Sequence, residues 1–171
     1  DRKKHIGEAD LVALASSERG AAHAHFELDG LQVGCGTIGL PTATVRLRGP
    51  GNSEHVKAAV GTGPVDAVFK AIDEIVGAPV TLLEYAVHSV TEGIDALGEV
   101  SVRVRPADNR GVVTSIEAPR ARVIHGHGAD TDIVVASTKA YLTALNRALD
   151  DRATLAVLDA RAPARTRELP I

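Results

Sequence analysis

The sequence predicts an α+β fold of two βββα-like units related by a pseudo-two-fold axis, with antiparallel sheets that carry their helices on one face. Three strand-like segments precede each of two amphipathic helical segments, and strands grouped in this way are typical of α+β folds. A Gly-x-Gly turn also recurs near both helices, at Gly61-Thr62-Gly63 and at Gly126-His127-Gly128. The chain is therefore predicted to use one supersecondary unit twice.

The first unit, about residues 21–77, begins with three short segments that alternate apolar and polar residues. This period of two is typical of half-buried strands. The first segment is expected to turn or bulge at Asp29-Gly30, and a turn at Pro50-Gly51-Asn52 separates the other two. The predicted strands cover 25–34, Thr42 to Leu47, and Val56 to Val60.

The first helix is predicted to start at Pro64, directly after the Gly61-Thr62-Gly63 turn. Proline suits the first helical position, where its missing N–H is not needed, and Asp66 in the first turn complements the positive end of the helix dipole. The glycines leave backbone N–H groups uncovered at that end, which predicts a site for a small anion such as a carboxylate. The apolar face that the helix turns toward the core consists of Val65, Val68, Phe69, Ile72, Ile75 and Val76.

The second unit, about residues 78–150, repeats this order with a longer connection before its last strand. Its helix is predicted over 130–149, with Asp130 as the N-cap, and the Gly126-x-Gly128 turn is expected to form a second site like the first. The predicted strands cover Val80 to Val90, Glu99 to Arg105, and Arg120 to His125. Between them lie a turn at Glu92-Gly93, a polar loop from Pro106 to Gly111, and an irregular stretch to Pro119.

The segments outside the two units have less pattern. Residues 1–20 are expected to be the remnant of a linker with a short helix. Residues 151–171 are expected to form a tail that is frayed over its last ten or so residues.

Composition excludes several classes of function. A formal net charge of -3 and an aromatic content of 2% argue against a nucleic-acid partner. No apolar run approaches the roughly 18 residues of a membrane span, and the basic N-terminus lacks the apolar segment of a signal peptide. The single cysteine, Cys35, lies in an apolar, Gly-rich stretch and is expected to be a small buried side chain. A cytoplasmic protein without a membrane partner is therefore expected.

No motif predicts a metal, a cofactor or a catalytic centre. The pairs His23/His25 and His125/His127 could each share a metal on a strand, but neither has a third ligand nearby, so no metal is predicted. The carboxylates Glu84, Asp95 and Asp132 are scattered, and no nucleophile elbow or phosphate-binding loop is present.

Three segments resemble, in order and spacing, the C-terminal regulatory domain of 2-isopropylmalate synthase. They are the Gly61 to Ala67 helix start, the run from Leu83 to Ala96, and the run from Gly126 to Asn146. The resemblance covers about residues 1–149, and citramalate synthase carries a similar domain. The metal-binding catalytic barrel of such enzymes is missing from this chain, so the resemblance implies no acyl transfer on the chain alone. It leaves open a barrel located upstream or in trans.

The resemblance implies two βββα-like units, a homodimer, and feedback regulation by a branched-chain amino acid, leucine in isopropylmalate synthases and isoleucine in citramalate synthases. In that family the effector lies near the first helix start, the tyrosine-containing strand and the start of the second helix. The resemblance nominates as effector-binding residues Gly61, Gly63, Pro64, Val65, Ala67, Tyr85, Ser89, Ala96 and Ile133, with Asp132 next to Ile133. Backbone N–H groups could take the carboxylate of the effector, and Asp66, Asp95 or Asp132, or backbone carbonyls, could hold its ammonium.

Two other interpretations stay open from the sequence. A free-standing copy of the domain could have been recruited as an enzyme that uses the former effector pocket, with His88, Tyr85 and Asp132 as acid/base groups. The chain could also be a purely structural dimerisation module whose pocket is vestigial.

Overall fold

A computed structural model describes residues 25–89, 97–107 and 123–161 of the chain. The described residues form two three-stranded antiparallel sheets, with strand orders β1-β2-β3 and β4-β5-β6, and two helices. The first unit consists of β1 Glu27–Gly34, β2 Thr42–Arg48, a 3-10 turn at Pro50–Asn52, β3 Glu54–Val60 and α1 Pro64–Val76. The second consists of β4 Val80–Ser89, β5 Gly98–Pro106, β6 Ile124–Asp130 and α2 Ile133–Arg161. The predicted α+β fold of two βββα units is confirmed.

The period-two pattern sets which side of each sheet is buried. In β2, Ala43, Val45 and Leu47 are at most 1% exposed, while the residues between them face outward. The central strand of the second sheet repeats this with Val100, Val102 and Val104. The bulge predicted at Asp29-Gly30 is confirmed by a register shift between Leu28 and Gly30.

The two units share one core. Helix α1 packs on β2 and β3, and α2 packs on β5 and β6 while also reaching β1. At that contact the Asn146 amide accepts a hydrogen bond from the Phe26 N–H at 3.0 Å and donates one to the Phe26 carbonyl at 2.9 Å. Aromatic side chains join the helices, since Phe69 of α1 stacks on Tyr141 of α2 with ring centroids 4.1 Å apart.

The prediction for the second Gly-x-Gly turn is wrong. Gly126 and Gly128 lie inside β6, which begins at Ile124 rather than ending at His125. A Cβ on Gly126 would stand 2.1 Å from the Ala140 carbonyl oxygen, and a Cβ on Gly128 would stand 2.3 Å from the Ala136 carbonyl oxygen. The glycines therefore let strand β6 approach the backbone of α2, and they do not form a helix start comparable to Gly61-Thr62-Gly63.

The limits of α2 also differ from the prediction. The helix begins at Ile133 and continues to Arg161, well past the predicted end at residue 149. Its N-cap is Asp132, whose Oδ1 accepts the Val134 N–H at 2.7 Å, whereas Asp130 lies at the end of β6 and pairs with Lys139. The first acid after the glycines was a reasonable candidate for the cap, but the strand continues to Asp130, five residues past its predicted end at His125.

Two further expectations concern the connections. Cys35 is exposed, not buried, in the loop between β1 and β2. In the same loop Ile38 is fully exposed, so the apolar composition of this segment does not reflect burial. The predicted turn at Glu92-Gly93, the linker over 1–20 and the loop from residue 108 to 119 lie outside the described residues, while Pro106, where that loop was expected to begin, is the last residue of β5.

Candidate functional site

The start of α1 is the best candidate for anion binding among the described residues. No side chain caps this helix, whose N-cap is Gly63. The Gly61 N–H donates to the Pro41 carbonyl at 2.9 Å, and the Thr62 N–H donates to Asp66 Oδ2 at 2.8 Å. Since Pro64 has no N–H, the helix offers the backbone donors of Gly63, Val65 and Asp66 to a ligand.

The two glycines before α1 have different roles. A Cβ on Gly61 would stand 2.3 Å from the Ala67 nitrogen and 2.8 Å from Asp66 Oδ2, so only glycine allows the chain to pass so close under the helix. Nothing lies within 4 Å of a Cβ built on Gly63, whose backbone is extended with a φ of -158°. Gly61 is thus needed for packing, whereas Gly63 leaves open space in front of the helix N-terminus.

Asp66 is already engaged within its own helix. Its Oδ2 lies 2.9 Å from the Lys70 ammonium, one turn further along α1. The hydrogen bond from Lys70, with that from the Thr62 N–H, holds the pKa of the Asp66 carboxyl below its ordinary value. Asp66 is therefore charged at neutral pH and secures the loop before α1, so holding the ammonium of a ligand would be an additional role.

Tyr85 stands beside α1 on the core-facing side of β4, opposite Val102 in the register. Its ring meets the ring of Phe69 edge-on, with centroids 6.3 Å apart, and its hydroxyl lies 2.8 Å from Ser137 Oγ on α2. Ser137 uses its single hydroxyl proton to donate to the Ile133 carbonyl at 2.6 Å, so Tyr85 is the donor in the other bond. Tyr85 thus contacts α1 and α2 simultaneously.

Ile133 opens α2 and is 38% exposed. A Cβ on Gly98, the first residue of β5, would stand 2.9 Å from Ile133 Cδ1, so the absence of a side chain there gives Ile133 its position. Asp132 immediately before it caps the helix, accepting the Val134 and Val135 N–H groups at 2.7 and 3.4 Å. Because its own carboxylate occupies this helix N-terminus, α2 is not open to an anion as α1 is.

An apolar surface extends from these residues along β4, which is an edge strand. Helix α2 covers β5 and β6, so side chains of β4 that point to the same side remain partly uncovered. We call this the β4 surface, and its members are between 38% and 49% exposed: Leu82, Tyr85 and Val87 of β4, and Ile133 at the start of α2. It meets α1 through the contact between the Tyr85 and Phe69 rings.

The structure places the nominated residues that it describes in two groups, one at the start of α1 and one around Tyr85 and the start of α2, with Phe69 in contact with Tyr85 between them. Tyr85 and Ile133 are joined through Ser137, and Val65 lies one helical turn before Phe69 on the same side of α1. Ala67 is fully buried against the core. Ser89 ends β4, while Asp95 and Ala96 lie outside the described residues.

The alternative catalytic set is not assembled. His88 pairs with Glu99 on the outer face of its sheet, whereas Tyr85 points to the inner face. Tyr85 and Asp132 are each engaged in the contacts described above, the first with Ser137 and the second as a helix cap. The three side chains therefore do not converge on one substrate.

The histidine pairs offer no metal site in the part of the chain that the structure describes. No group of three or more His, Cys, Asp or Glu side chains that could hold a metal is found there. His125 and His127 are exposed on the outer face of β6, opposite Arg103 and Ser101. His25 Nε2 lies 2.8 Å from Asp150 Oδ1, and His23 lies outside the described residues.

Sequence reasoning missed the contacts that connect the two units. The Tyr141 hydroxyl donates a hydrogen bond to Asp73 Oδ1 at 2.8 Å, and Ser137 Oγ accepts a hydrogen bond from the Tyr85 hydroxyl. Desolvation raises the pKa of Asp73, against the hydrogen bond from Tyr141, and burial followed by the Asp73 charge raises the pKa of Tyr141. The available signal was a polar Ser137 that follows Ile133 by one turn on an otherwise apolar helix face.

No described helix has both the length and the apolarity needed to cross a membrane.

Residues 5–149 match the family model of the LeuA allosteric (dimerisation) domain. The chain is 49% identical over 147 residues to 2-isopropylmalate synthase of Gloeobacter violaceus, covering 86% of this chain and 25% of that relative. It is 43% identical over 171 residues to 2-isopropylmalate synthase 2, chloroplastic, of Arabidopsis thaliana, covering 99% of this chain and 27% of that relative. The chain thus spans about a quarter of the length of the curated relatives that it matches.

Proposed function

The chain belongs to the LeuA allosteric (dimerisation) domain family. We propose that it binds a branched-chain amino acid as a feedback effector, and that this amino acid is leucine. The carboxylate of the effector would accept hydrogen bonds from the backbone N–H groups at the start of α1. Its aliphatic side chain would lie against Val65, Tyr85 and Ile133. No catalytic step is proposed for this chain by itself.

The observation that carries this proposal is the asymmetry between the two helix starts. The N-terminus of α1 has no side-chain cap, and nothing lies within 4 Å of a Cβ built on Gly63. The N-terminus of α2 is filled by its own Asp132 carboxylate. An amino acid needs one anion site, one cation partner and one apolar wall, and the start of α1, a carboxylate and the side chains of Tyr85 and Ile133 would supply them.

The ammonium group of the effector would need a carboxylate near the apolar wall. Asp132 is the better placed of the two described candidates, because it adjoins Ile133 and uses one oxygen, Oδ1, for the cap. Asp66 already holds Lys70 and the Thr62 N–H. Asp95, the third candidate, lies outside the described residues, and its role stays a prediction.

Discrimination among leucine, isoleucine and valine would come from the shape of the apolar wall. A single methylene in a hydrophobic pocket changes binding by about 1 to 3 kcal/mol. Ile133 is held by its contact with the Gly98 position and Tyr85 by its hydrogen bond to Ser137, so the wall is fixed on two sides. A fixed wall favours one branching pattern over the others.

Dimerisation is the second part of the proposed role. The β4 surface leaves Leu82, Tyr85 and Val87 half-exposed along one side of an edge strand. We assign a second copy of the chain to this surface, because the family is described as a dimerisation domain and an edge strand with apolar residues is protected by pairing or cover. The effector site would then lie beside the dimer interface.

This position gives a physical route to regulation. An effector that binds one arrangement of the dimer better than another shifts the population toward it, and such coupling is typically about 1 to 3 kcal/mol. In a protein that carries a catalytic barrel, upstream or in trans, leucine would shift the population toward slow turnover.

Isothermal titration calorimetry with leucine, isoleucine and valine tests the proposal. Leucinamide, which lacks the carboxylate, is the matched ligand and should bind at least about tenfold more weakly, because a charge-assisted hydrogen bond contributes about 1.5 to 3 kcal/mol. Gly63→Ala should weaken leucine binding, since its methyl group stands in the approach to the N–H groups. Gly36→Ala, at another glycine with open surroundings, is the control. Neither heat nor a thermal shift with any of the three amino acids at millimolar concentration would refute the proposal.

A further inference from the structure

The proposed effector site has one wall from each unit. The start of α1 belongs to the first unit, while Tyr85 and Ile133 belong to the second. The distance between these walls therefore depends on contacts that hold the units together. A ligand that spans both walls must be sensitive to that distance.

A continuous chain of aromatic contacts crosses from one unit to the other and back. Tyr85 of β4 meets Phe69 of α1 edge-on at 6.3 Å, and Phe69 stacks on Tyr141 of α2 at 4.1 Å with an interplanar angle of 16°. Tyr141 then donates to Asp73, which lies one turn after Phe69 on α1. Phe69 is 8% exposed and Tyr141 3% exposed, so the middle of this series of contacts lies within the core, while Tyr85 at its end is 38% exposed.

We propose that this chain, Tyr85–Phe69–Tyr141–Asp73, is a relay that couples occupancy of the effector site to the packing of α1 against α2. The inference rests on the proposed function, since it concerns the regulation of the same site. Ser137 is a positioning residue at its near end, because its oxygen receives the Tyr85 hydroxyl. Tyr141 and Asp73 are positioning residues at its far end.

The close packing of the rings makes the relay physically reasonable. The Phe69 ring lies between two other rings, so a displacement of Tyr85 by a ligand cannot be absorbed in a void. The Tyr141 hydroxyl is held by the Asp73 carboxylate, and Asp73 lies on the same helix as Phe69. A shift of Phe69 with α1 must therefore either carry Tyr141 along or break the hydrogen bond between Tyr141 and Asp73. Asp73 also lines a groove of about 490 Å³ against strand β3, with Lys70 and Glu74, so the far end of the relay reaches the surface.

Fluorine NMR gives a direct test because the chain contains two tyrosines, one at each end of the aromatic contacts. Labelling with 3-fluorotyrosine yields one resonance for Tyr85 and one for Tyr141, and Tyr141→Phe assigns them. Titration with leucine is expected to shift both resonances with the same saturation. Leucine-dependent movement of the Tyr85 resonance alone, with Tyr141 unchanged, would overturn the relay and leave the proposed function intact. Absence of any shift together with absence of heat would remove both.

Substitution at the far end tests the coupling without touching the site. Tyr141→Phe keeps the ring stack but removes the bond to Asp73, and it should weaken leucine binding about three- to tenfold. Asp73→Asn, with Tyr141 unchanged, keeps a carbonyl acceptor for the Tyr141 hydroxyl and should bind leucine with close to the affinity of the unmodified chain. Unchanged affinity in Tyr141→Phe would contradict the relay.

A control separates coupling from general loss of stability. Thr138 is fully buried on α2 next to Ser137, but its hydroxyl donates to the Val134 carbonyl of its own helix at 2.7 Å. Thr138→Val should cost stability and leave the leucine affinity and the two fluorine shifts unchanged. Ser137→Ala should uncouple Tyr85 from Tyr141, so that leucine no longer shifts the Tyr141 resonance. If Ser137→Ala and Thr138→Val behave alike in both readouts, the inference is wrong.

Discussion

Replacement of Gly61 by alanine tests the geometry on which the candidate site depends. The new Cβ would stand 2.3 Å from the Ala67 nitrogen and 2.8 Å from the Ala67 Cα, both of which belong to the backbone of α1. Neither atom can rotate away, so the helix start or the preceding loop must move by about 1 Å to reach an ordinary contact distance of about 3.4 Å. Overpacking of this kind costs about 1 to 3 kcal/mol, and backbone atoms place Gly61→Ala toward the upper end.

Urea denaturation at neutral pH is the assay. A loss of about 2 to 3 kcal/mol in the free energy of unfolding corresponds to a fall in Tm of about 5 to 10 °C for a chain of this size. Gly63→Ala, two residues away, is the matched control. With no atom within 4 Å of its Cβ and an extended backbone, it should change stability by less than about 0.5 kcal/mol. Equal stability of the two variants would refute the close passage of Gly61 beneath α1.

Three further outcomes follow from the structure. Gly128→Ala should lower the free energy of unfolding by about 2 kcal/mol or more, measured in urea, because its Cβ would stand 2.3 Å from a carbonyl oxygen of α2. Val87→Asp on the β4 surface should raise the dimer dissociation constant at least about tenfold in sedimentation experiments, while Val56→Asp on the outer face of the other sheet should not. Because the pKa of Asp73 is raised in the folded state, the folded protein holds a proton on this group at pH values where the unfolded chain has lost it. The free energy of unfolding therefore falls as the pH rises from the unfolded pKa of about 4 through the folded pKa. Asp73→Asn should remove that decline, and an unchanged pH profile of the urea midpoint would contradict the desolvation of this carboxyl.

Most of the secondary structure could be predicted because its signals are local. The alternation in Thr42–Arg48 and Gly98–Pro106 directly reflects which side of a sheet is buried. Pro64 and Gly77 mark the two ends of α1, the second with a left-handed φ of 62°. The Asp29-Gly30 bulge likewise lies where turn-forming residues interrupt a strand pattern.

The wrong predictions share a cause, which is that one residue type serves several structural purposes. Gly126 and Gly128 looked like a helix start, but they are glycines because a helix backbone lies 2.1 and 2.3 Å from where their side chains would be. Asp130 and Asp132 are both plausible caps in sequence, and the length of β6 decides between them. Cys35 lies in an apolar stretch without periodicity, and such a stretch does not reveal whether the chain is buried.

Patterns in the sequence were sufficient to predict the two-unit α+β architecture and the family, and the place of an effector remains a prediction from the resemblance. The packed structure was needed to show that, of the two described helices, α1 is the one without a side-chain cap, and that Tyr85, Ser137, Phe69, Tyr141 and Asp73 connect the two units. The physical reason is distance along the chain. Periodicity and capping act over a few residues, whereas the Tyr85–Ser137 and Tyr141–Asp73 bonds join residues 52 and 68 positions apart. Such contacts exist only once both units have packed on one core.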